Sequence, residues 1–335
     1  MENSERIPGL VSVLMPVYNA EKYVTEAIGS VRGQTYEKLE IVVLDDGSRD
    51  ESLSLCRRMA EEDPRIRVYT QENAGVAAAR NELLSLARGE FIAWVDSDDI
   101  LYPFTIAAML QGMEETGAQA AQCHLSEVLP KRSTAHVNED YEIWEGDDLY
   151  RHYVQGDFSL LITTFLFRAS LLEGVQFPPL VFGEDTYLQI LLLPRYRKML
   201  NFHWVGYYYR PNLSSITHNR NPEDVAATFR SILTLVGDVL QPWNRKIYLA
   251  FAYSQLHELA LQFSGLKKVP RSLRHEVSEW FQRDRKLFRE ICFHSGLGPL
   301  ARAESLLWMA FGTRSFGFSV FCQKIFEKHK LLRSR

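Results

Sequence analysis

Four short apolar runs in the first hundred residues each lead to a polar cluster, and this alternation restricts the fold more than any other feature. Val11-Ser12-Val13-Leu14-Met15 leads to Tyr18-Asn19, and Ile41-Val42-Val43-Leu44 to Asp45-Asp46-Gly47-Ser48. Val68-Tyr69-Thr70 leads to Asn73-Ala74-Gly75, and Phe91-Ile92-Ala93-Trp94-Val95 to Asp96-Ser97-Asp98-Asp99. Between the runs lie segments of helical period. Val24, Ala27, Ile28 and Val31 fall at i, i+3, i+4 and i+7, as do Ser52, Leu55, Cys56 and Met59, and Val76, Ala79, Leu83 and Leu86 form a looser third set. Strands alternating with helices imply an α/β fold, a parallel sheet covered on both faces. Strands so covered should be apolar without alternation, as Ile41–Leu44 and Phe91–Val95 are. Ligands of such sheets bind outside the carboxyl ends of the strands. The four clusters therefore predict one site lined by carboxylates and amides.

The chain's 335 residues suffice for one large domain with an appendage, or for two domains. Its formal charge of −4 hides an asymmetry. Residues 1–220 carry 20 Lys and Arg against 32 Asp and Glu, a balance of −12, and residues 221–335 carry 18 against 10, a balance of +8. The C-terminal part is thus expected to face something anionic, whether nucleic acid, a membrane surface or an acidic glycolipid. No base-reading motif accompanies the charge, so nucleic acid is not expected. Cys56, Cys123, Cys292 and Cys322 form neither a CxxC pair nor a disulfide spacing, which predicts reduced thiols in a cytoplasmic protein. The polar start, Met1 to Arg6, leads into no signal-type stretch, and no run approaches the roughly 18 apolar residues of a membrane span.

Pro130 to Asp148 is polar and acidic and reads as an exposed loop. Ser159 to Phe167 is an apolar run, and Phe177-Pro178-Pro179 is a turn. Gly183-Glu184-Asp185 then opens a helix with an acidic first turn. Beyond residue 222 helical sequence dominates, broken at Gly265 to Pro270. The last segment sets Phe318, Phe321, Cys322 and Ile325 on one face, with Lys324, Glu327, Lys328 and Lys330 around it. Two readings stand for that segment: peripheral contact with an anionic membrane, or packing on the rest of the protein.

Several clusters carry two readings each. Asp96-Ser97-Asp98-Asp99 offers paired carboxylates for a hard divalent cation that bridges to phosphate oxygens, or simply an acidic turn. Asp45-Asp46-Gly47-Ser48 suits a turn and helix cap, although two adjacent carboxylates exceed what a cap needs. Gly75 permits close approach of backbone to a ligand. Arg80, one turn on, reaches a diphosphate or stands in solvent. Glu184-Asp185 is a pair stabilised by the helix dipole or contains a catalytic base.

Taken in order, Val11 to Asn19, Ser30-Val31-Arg32-Gly33-Gln34-Thr35-Tyr36, Asp45 to Ser48, Asn73 to Asn81 and Asp96 to Asp99 resemble the family 2 glycosyltransferases, with Glu184-Asp185 extending the match. The resemblance implies inverting enzymes of GT-A fold, with a Rossmann-like, mostly parallel central sheet, here joined to a mainly helical C-terminal extension. By that resemblance residues 1–110 form the nucleotide-sugar-binding half, 111–221 the acceptor-binding half and 222–335 a basic helical region. Pro16, Val17, Tyr18, Asn19, Asp46, Asn73, Gly75, Arg80, Asp96 and Ser97 would bind a UDP-sugar, with Asp46 at the uracil and Asp96 near the ribose. Asp98 would hold Mn2+ or Mg2+, with Asp99, Glu184, Arg210 and His218 as further site candidates, and Asp185 would be the base.

Ala121-Gln122-Cys123 and Tyr207 to Ile216 resemble, less specifically, soluble enterobacterial enzymes that decorate the lipopolysaccharide core. Their acceptor would be a hydroxyl of a glycan or glycolipid at the cytoplasmic face of the inner membrane. The Gln-x-x-Arg-Trp motif of processive synthases is absent, which implies transfer of a single sugar. Many relatives place a metal-binding His where this chain has Leu213, and His218 lies slightly beyond. Competing functions are an inactive nucleotide-sugar sensor or scaffold, against which the presence of both Asp98 and Asp185 weighs, and a sugar-nucleotide pyrophosphorylase. The latter would want a Gly-rich basic loop where Pro16-Val17-Tyr18-Asn19-Ala20 stands.

Overall fold

The first apolar run forms β1 (Ile7–Val17), flanked by β2 (Leu39–Asp45) and β4 (Gly89–Trp94) and parallel to both. β3 (Ile66–Thr70) adds in parallel to β2. All seven residues of β2 are buried, as a strand covered on both faces requires. The structure, a computed structural model, describes residues 6–129, 140–155, 157–211, 221–240 and 269–283, with isolated positions beyond 240. The chain divides into two compact units, Met1–Leu213 and Ser214–Arg335.

In the first unit α1 (Val24–Arg32) buries Val24, Ala27, Ile28 and Val31, the face its periodicity predicts. α2 (Ser52–Glu62) buries Ser52, Cys56 and Met59. α3 (Val76–Leu86) differs, because it turns Arg80 inward beside Ala77, Ala79 and Leu83. An inward cation needs anionic partners, and the site supplies them. One continuous core joins α1 and α2 to α4 (Thr105–Thr116) and β6 (Ala120–Ser126). Each fully buried aliphatic side chain there contributes about 1.5–3 kcal/mol.

Beyond β4 the sheet is mixed. β8 (Phe165–Arg168) runs antiparallel to both β4 and β6, and β9 (Lys198–Tyr208) runs parallel to β6. Among the described residues the sheet has nine strands: eight run in the order β3-β2-β1-β4-β8-β6-β9-β5, β7 (Tyr141–Glu145) lies off this path, and β5 (Ile100–Leu101) and β7 both pair antiparallel with β9. It follows that β1, β2, β3, β4, β6 and β9 all end at one edge, where the polar clusters lie.

Residues 141–148 correct the expectation of an exposed loop: they hold β7 and the start of α5 (Asp147–Gln155). Trp144 is the reason. It is buried, stacks on His152 with ring centroids 4.0 Å apart, and meets Phe158, while acidic neighbours face water. The Ser159–Phe167 run contains a 3-10 turn (Ile162–Thr164) and β8. α6 (Glu184–Leu192) begins at the acidic pair as expected, after Gly183 in left-handed conformation.

In the second unit α7 (Pro222–Leu240) starts where the Asp224 amide donates to Asn221 Oδ1 at 2.8 Å, a side-chain cap. α8 (Arg271–Arg283) follows Pro270. Among the described residues no helix is long and apolar enough to cross a membrane. His218, and the amphipathic segment of Phe318, Phe321, Cys322 and Ile325, lie outside the described residues.

Candidate active site

The β2 end folds back on the β1 end: the Asp46 amide donates to Val17 O at 2.8 Å. Asn19 adopts a positive φ of 48°, and its amide and carbonyl side chain bond Ser48 Oγ (3.0 Å) and the Arg49 amide (2.9 Å). Tyr18 is half exposed above this turn. Gly47 is required for two reasons: its φ is +73°, and a Cβ would lie 2.8 Å from the Asn73 backbone nitrogen.

Asp46 closes the start of α3 rather than of α2. Its carboxylate accepts the Ala74 amide (2.9 Å), the Gly75 amide (2.9 Å) and Gln71 Nε2 (2.7 Å), while Asn73 Nδ2 donates to its carbonyl (3.0 Å). A negative group at a helix N-terminus is favoured by orphan amides and by the dipole. Three of the about four hydrogen bonds that an ionised carboxylate accepts are thus made within the fold. Asp45 faces the other way, onto the Ser48 amide and Thr70.

The Asp96–Asp99 turn splits its carboxylates. Asp99 is 1% exposed; it accepts the Tyr207 hydroxyl (2.8 Å) and the Arg210 amide (2.8 Å). Burial, with Asp96 and Asp98 adding, pushes its carboxyl up to about 8. Asp99 is therefore a fastening of β9 to the turn, whereas Asp96, Ser97 and Asp98 stay partly exposed. Arg210 serves the same turn: its Nε donates to Asp98 O (2.7 Å), Nη2 to Glu26 (2.6 Å), and its guanidinium stacks 4.8 Å from the Tyr23 ring centre.

Arg80 joins this turn to α6. Its guanidinium meets Glu184 at 2.5 Å, forms a direct ion pair with Asp185, and reaches Asp96 at 3.3 Å. The reading in which Arg80 stands in solvent is thereby corrected: its side chain is 4% exposed and pairs with three carboxylates. Asp185 keeps 13% of its side-chain surface accessible and also faces the Ile162 amide at 3.4 Å. Burial raises its carboxyl to about 7, against the pull of Arg80 and with Glu184 and Asp96 adding. Asp185 and the Asp96 turn thus belong to one cluster.

A protein-family comparison bears on this arrangement. The family model described as Glycosyl transferase family 2 matches residues 12–173, spanning β1 to β8. This domain belongs to glycosyl transferase family 2. The chain is 30% identical over 274 residues to Glycosyltransferase GlyA of Streptococcus pneumoniae serotype 4 (strain TIGR4), a match covering 76% of this chain and 39% of GlyA. The chain thus spans well under half of that relative. Its fold is similar to S. aureus TarS 1-349, solved in complex with UDP-GlcNAc, with a TM-score of 0.69 and 20% identity over 91% of this chain and 89% of TarS 1-349. It is also similar to mannosyltransferase PcManGT from Pyrobaculum calidifontis, solved with GDP-Man and Mn2+, at a TM-score of 0.54 and 17% identity over 93% of this chain and 86% of PcManGT.

Reading the chain left Tyr207 and Glu26 without a role in the site. Tyr207 also accepts the Asp96 amide (3.2 Å), so its hydroxyl touches both ends of the acidic turn. The available signal was the Tyr207-Tyr208-Tyr209-Arg210 run ending a strand; nothing in spacing marked Glu26.

Proposed function

We propose that this glycosyltransferase moves a single sugar from a UDP-sugar to a hydroxyl of a glycan or glycolipid acceptor, with inversion, in assembly of a bacterial surface polysaccharide or lipopolysaccharide. The observation that carries this reading is the Arg80 bridge, which gathers a partly accessible Asp185 and the Asp96 turn around one cation. The bacterial relative GlyA and the UDP-GlcNAc bound by TarS support the substrate classes.

In this reading residues 1–110 hold the donor and 111–221 the acceptor. Pro16, Val17, Tyr18 and Asn19 edge the nucleotide site. Asp46 takes the uracil N–H at its remaining acceptor position, with Asn73 and Gly75 behind it, and Asp96 and Ser97 face the ribose. The acceptor hydroxyl attacks the anomeric carbon opposite the diphosphate. Its oxygen forms the new bond as the bond to the diphosphate oxygen breaks, and Asp185 takes the proton. Such proton transfer contributes about 10²–10⁴-fold. Arg80 holds Asp185 in place.

A divalent metal fits the turn in part. Asp98 and Asp96 offer hard oxygens, as Mn2+ or Mg2+ prefers, but no group of three or more ligating side chains stands together among the described residues. Diphosphate oxygens and water would complete the coordination. When bound, the ion would offset charge developing on the leaving diphosphate.

The experiment is a panel of UDP-sugars incubated with Mn2+, with Mg2+ or with chelator, using the wild-type chain and Asp185→Asn. Metal-dependent turnover of one donor, lost in the variant while donor binding persists, is expected. Full turnover by Asp185→Asn removes the base assignment.

A further inference from the structure

Gln122 is 2% exposed on β6, where a sheet would ordinarily bury an apolar side chain, and every polar atom of its amide is used. Nε2 donates to the Asp157 carbonyl (3.1 Å) and to Asn201 Oδ1 (2.6 Å), and Oε1 accepts the Ser159 amide (3.0 Å). Asn201, buried too, stands opposite Gln122 in the β6–β9 register. Buried amides persist where such partners exist, since each unmade bond is costly.

From Ser159 the bonding runs onward. Thr164 Oγ1 lies 2.8 Å from both Ser159 Oγ and the Leu161 carbonyl, and the Leu161 amide donates to Ser159 Oγ at 3.3 Å. These bonds shape residues 157–164 and the 3-10 turn that ends them. Within that turn Ile162 is fully buried, and its amide faces Asp185 Oδ2 at 3.4 Å. Asp185 is faced by Arg80 from α3, Glu184 from its own helix, Asp96 beyond β4 and the Ile162 amide. The Ile162 amide alone among these is neutral, and its position follows from the clamp that begins at Gln122.

We propose that Gln122 is a positioning residue: from the middle of the sheet it fixes the turn whose amide is presented to the Asp185 carboxylate. Its functional meaning rests on Asp185 being the base, but its structural content does not. An amide donated to a carboxylate favours the ionised form. Loosening the turn therefore raises the pH at which Asp185 ionises and leaves the nucleotide half untouched.

The test is Gln122→Met, similar in size without hydrogen-bonding atoms, in the full chain. The Asp185 carboxyl is titrated by 13C NMR, its signal assigned with Asp185→Asn, and UDP binding is measured by calorimetry. The expected result is an upward midpoint shift of about half a pH unit or more, with UDP affinity unchanged. Should Gln122→Met fail to fold, Ser159→Ala removes the hydroxyl that ties the loop to Thr164 and must shift the midpoint in the same direction. A folded Gln122→Met with an unmoved Asp185 midpoint overturns the proposal, as does a shift accompanied by equal loss of UDP binding. If Asp185→Asn keeps full turnover, the base assignment falls while the midpoint still reads the link to Gln122.

Discussion

Arg80 and Asp185 form a direct ion pair although 105 residues separate them in the chain. The guanidinium sits 6.0 Å from the Trp94 ring centre and 5.8 Å from that of Phe177. Those rings exclude the water that would screen the charges. A single cation thus holds two carboxylates of the first turn of α6 and a third beyond β4.

Replacing Arg80 by Met should strand those three carboxylates. Breaking a buried pair by removing one partner costs about 3–5 kcal/mol. Chemical denaturation should show a loss of that size. Arg80→Lys should fall between, because an ammonium keeps the charge but not the fork that reaches Glu184, Asp185 and Asp96 together.

Transfer should follow the ionisation of Asp185. Burial places that carboxyl at about 7, and only its ionised form accepts a proton. The turnover number should fall about tenfold per pH unit below that value and level off above it. In Arg80→Met the acid limb should move to higher pH, since the cation favouring the carboxylate is gone. A turnover profile at saturating donor and acceptor checks both; a limb near pH 4 would put the carboxyl in the ordinary aspartate range, and a limb that does not move in Arg80→Met would remove Asp185 from the base role.

Asp98→Ala and Asp99→Ala should fail differently. The first should erase the metal-dependent increment in UDP binding, seen by calorimetry with Mn2+ and with chelator, while thermal stability holds. The second should lower stability by about 1–3 kcal/mol for each buried donor left unpaired, because Tyr207 and Arg210 lose their acceptor.

Gly47→Ala should cost more than Gly117→Ala. Both glycines have a positive φ, +73° and +70°, worth roughly 1–3 kcal/mol against any other residue. At Gly117 nothing lies within 4 Å of an added Cβ, whereas at Gly47 the Asn73 backbone stands 2.8 Å away. Thermal melts give the stability difference, and UDP titration should show weakened binding for Gly47→Ala alone.

The parallel half of the sheet was legible because β1, β2 and β4 are long apolar runs ended by turn residues, and α1 and α2 carry clean periodicity. The start of α6 was legible from Gly183 and the acidic pair. β7 was not, since four of the eight residues from 141 to 148 are acidic and only Trp144 anchors the segment. The ion partners of Arg80 were not legible, because Glu184 and Asp185 lie a hundred residues on and a cation in a helix carries no local sign of being turned inward. The clamp of Gln122 and Asn201 was hidden for the same reason: Ala121-Gln122-Cys123 carried a resemblance, but local composition shows an amide and not what it bonds.

The fastening of Tyr207 and Arg210 to Asp99 ties the margin of the sheet to its chemical centre. The last residues of β9 cannot fray without pulling on the acidic loop that follows β4. Heat or denaturant acting on that margin should therefore extinguish sugar transfer at the same moment, and a lightly melted but still working enzyme is not an available state for this half of the molecule.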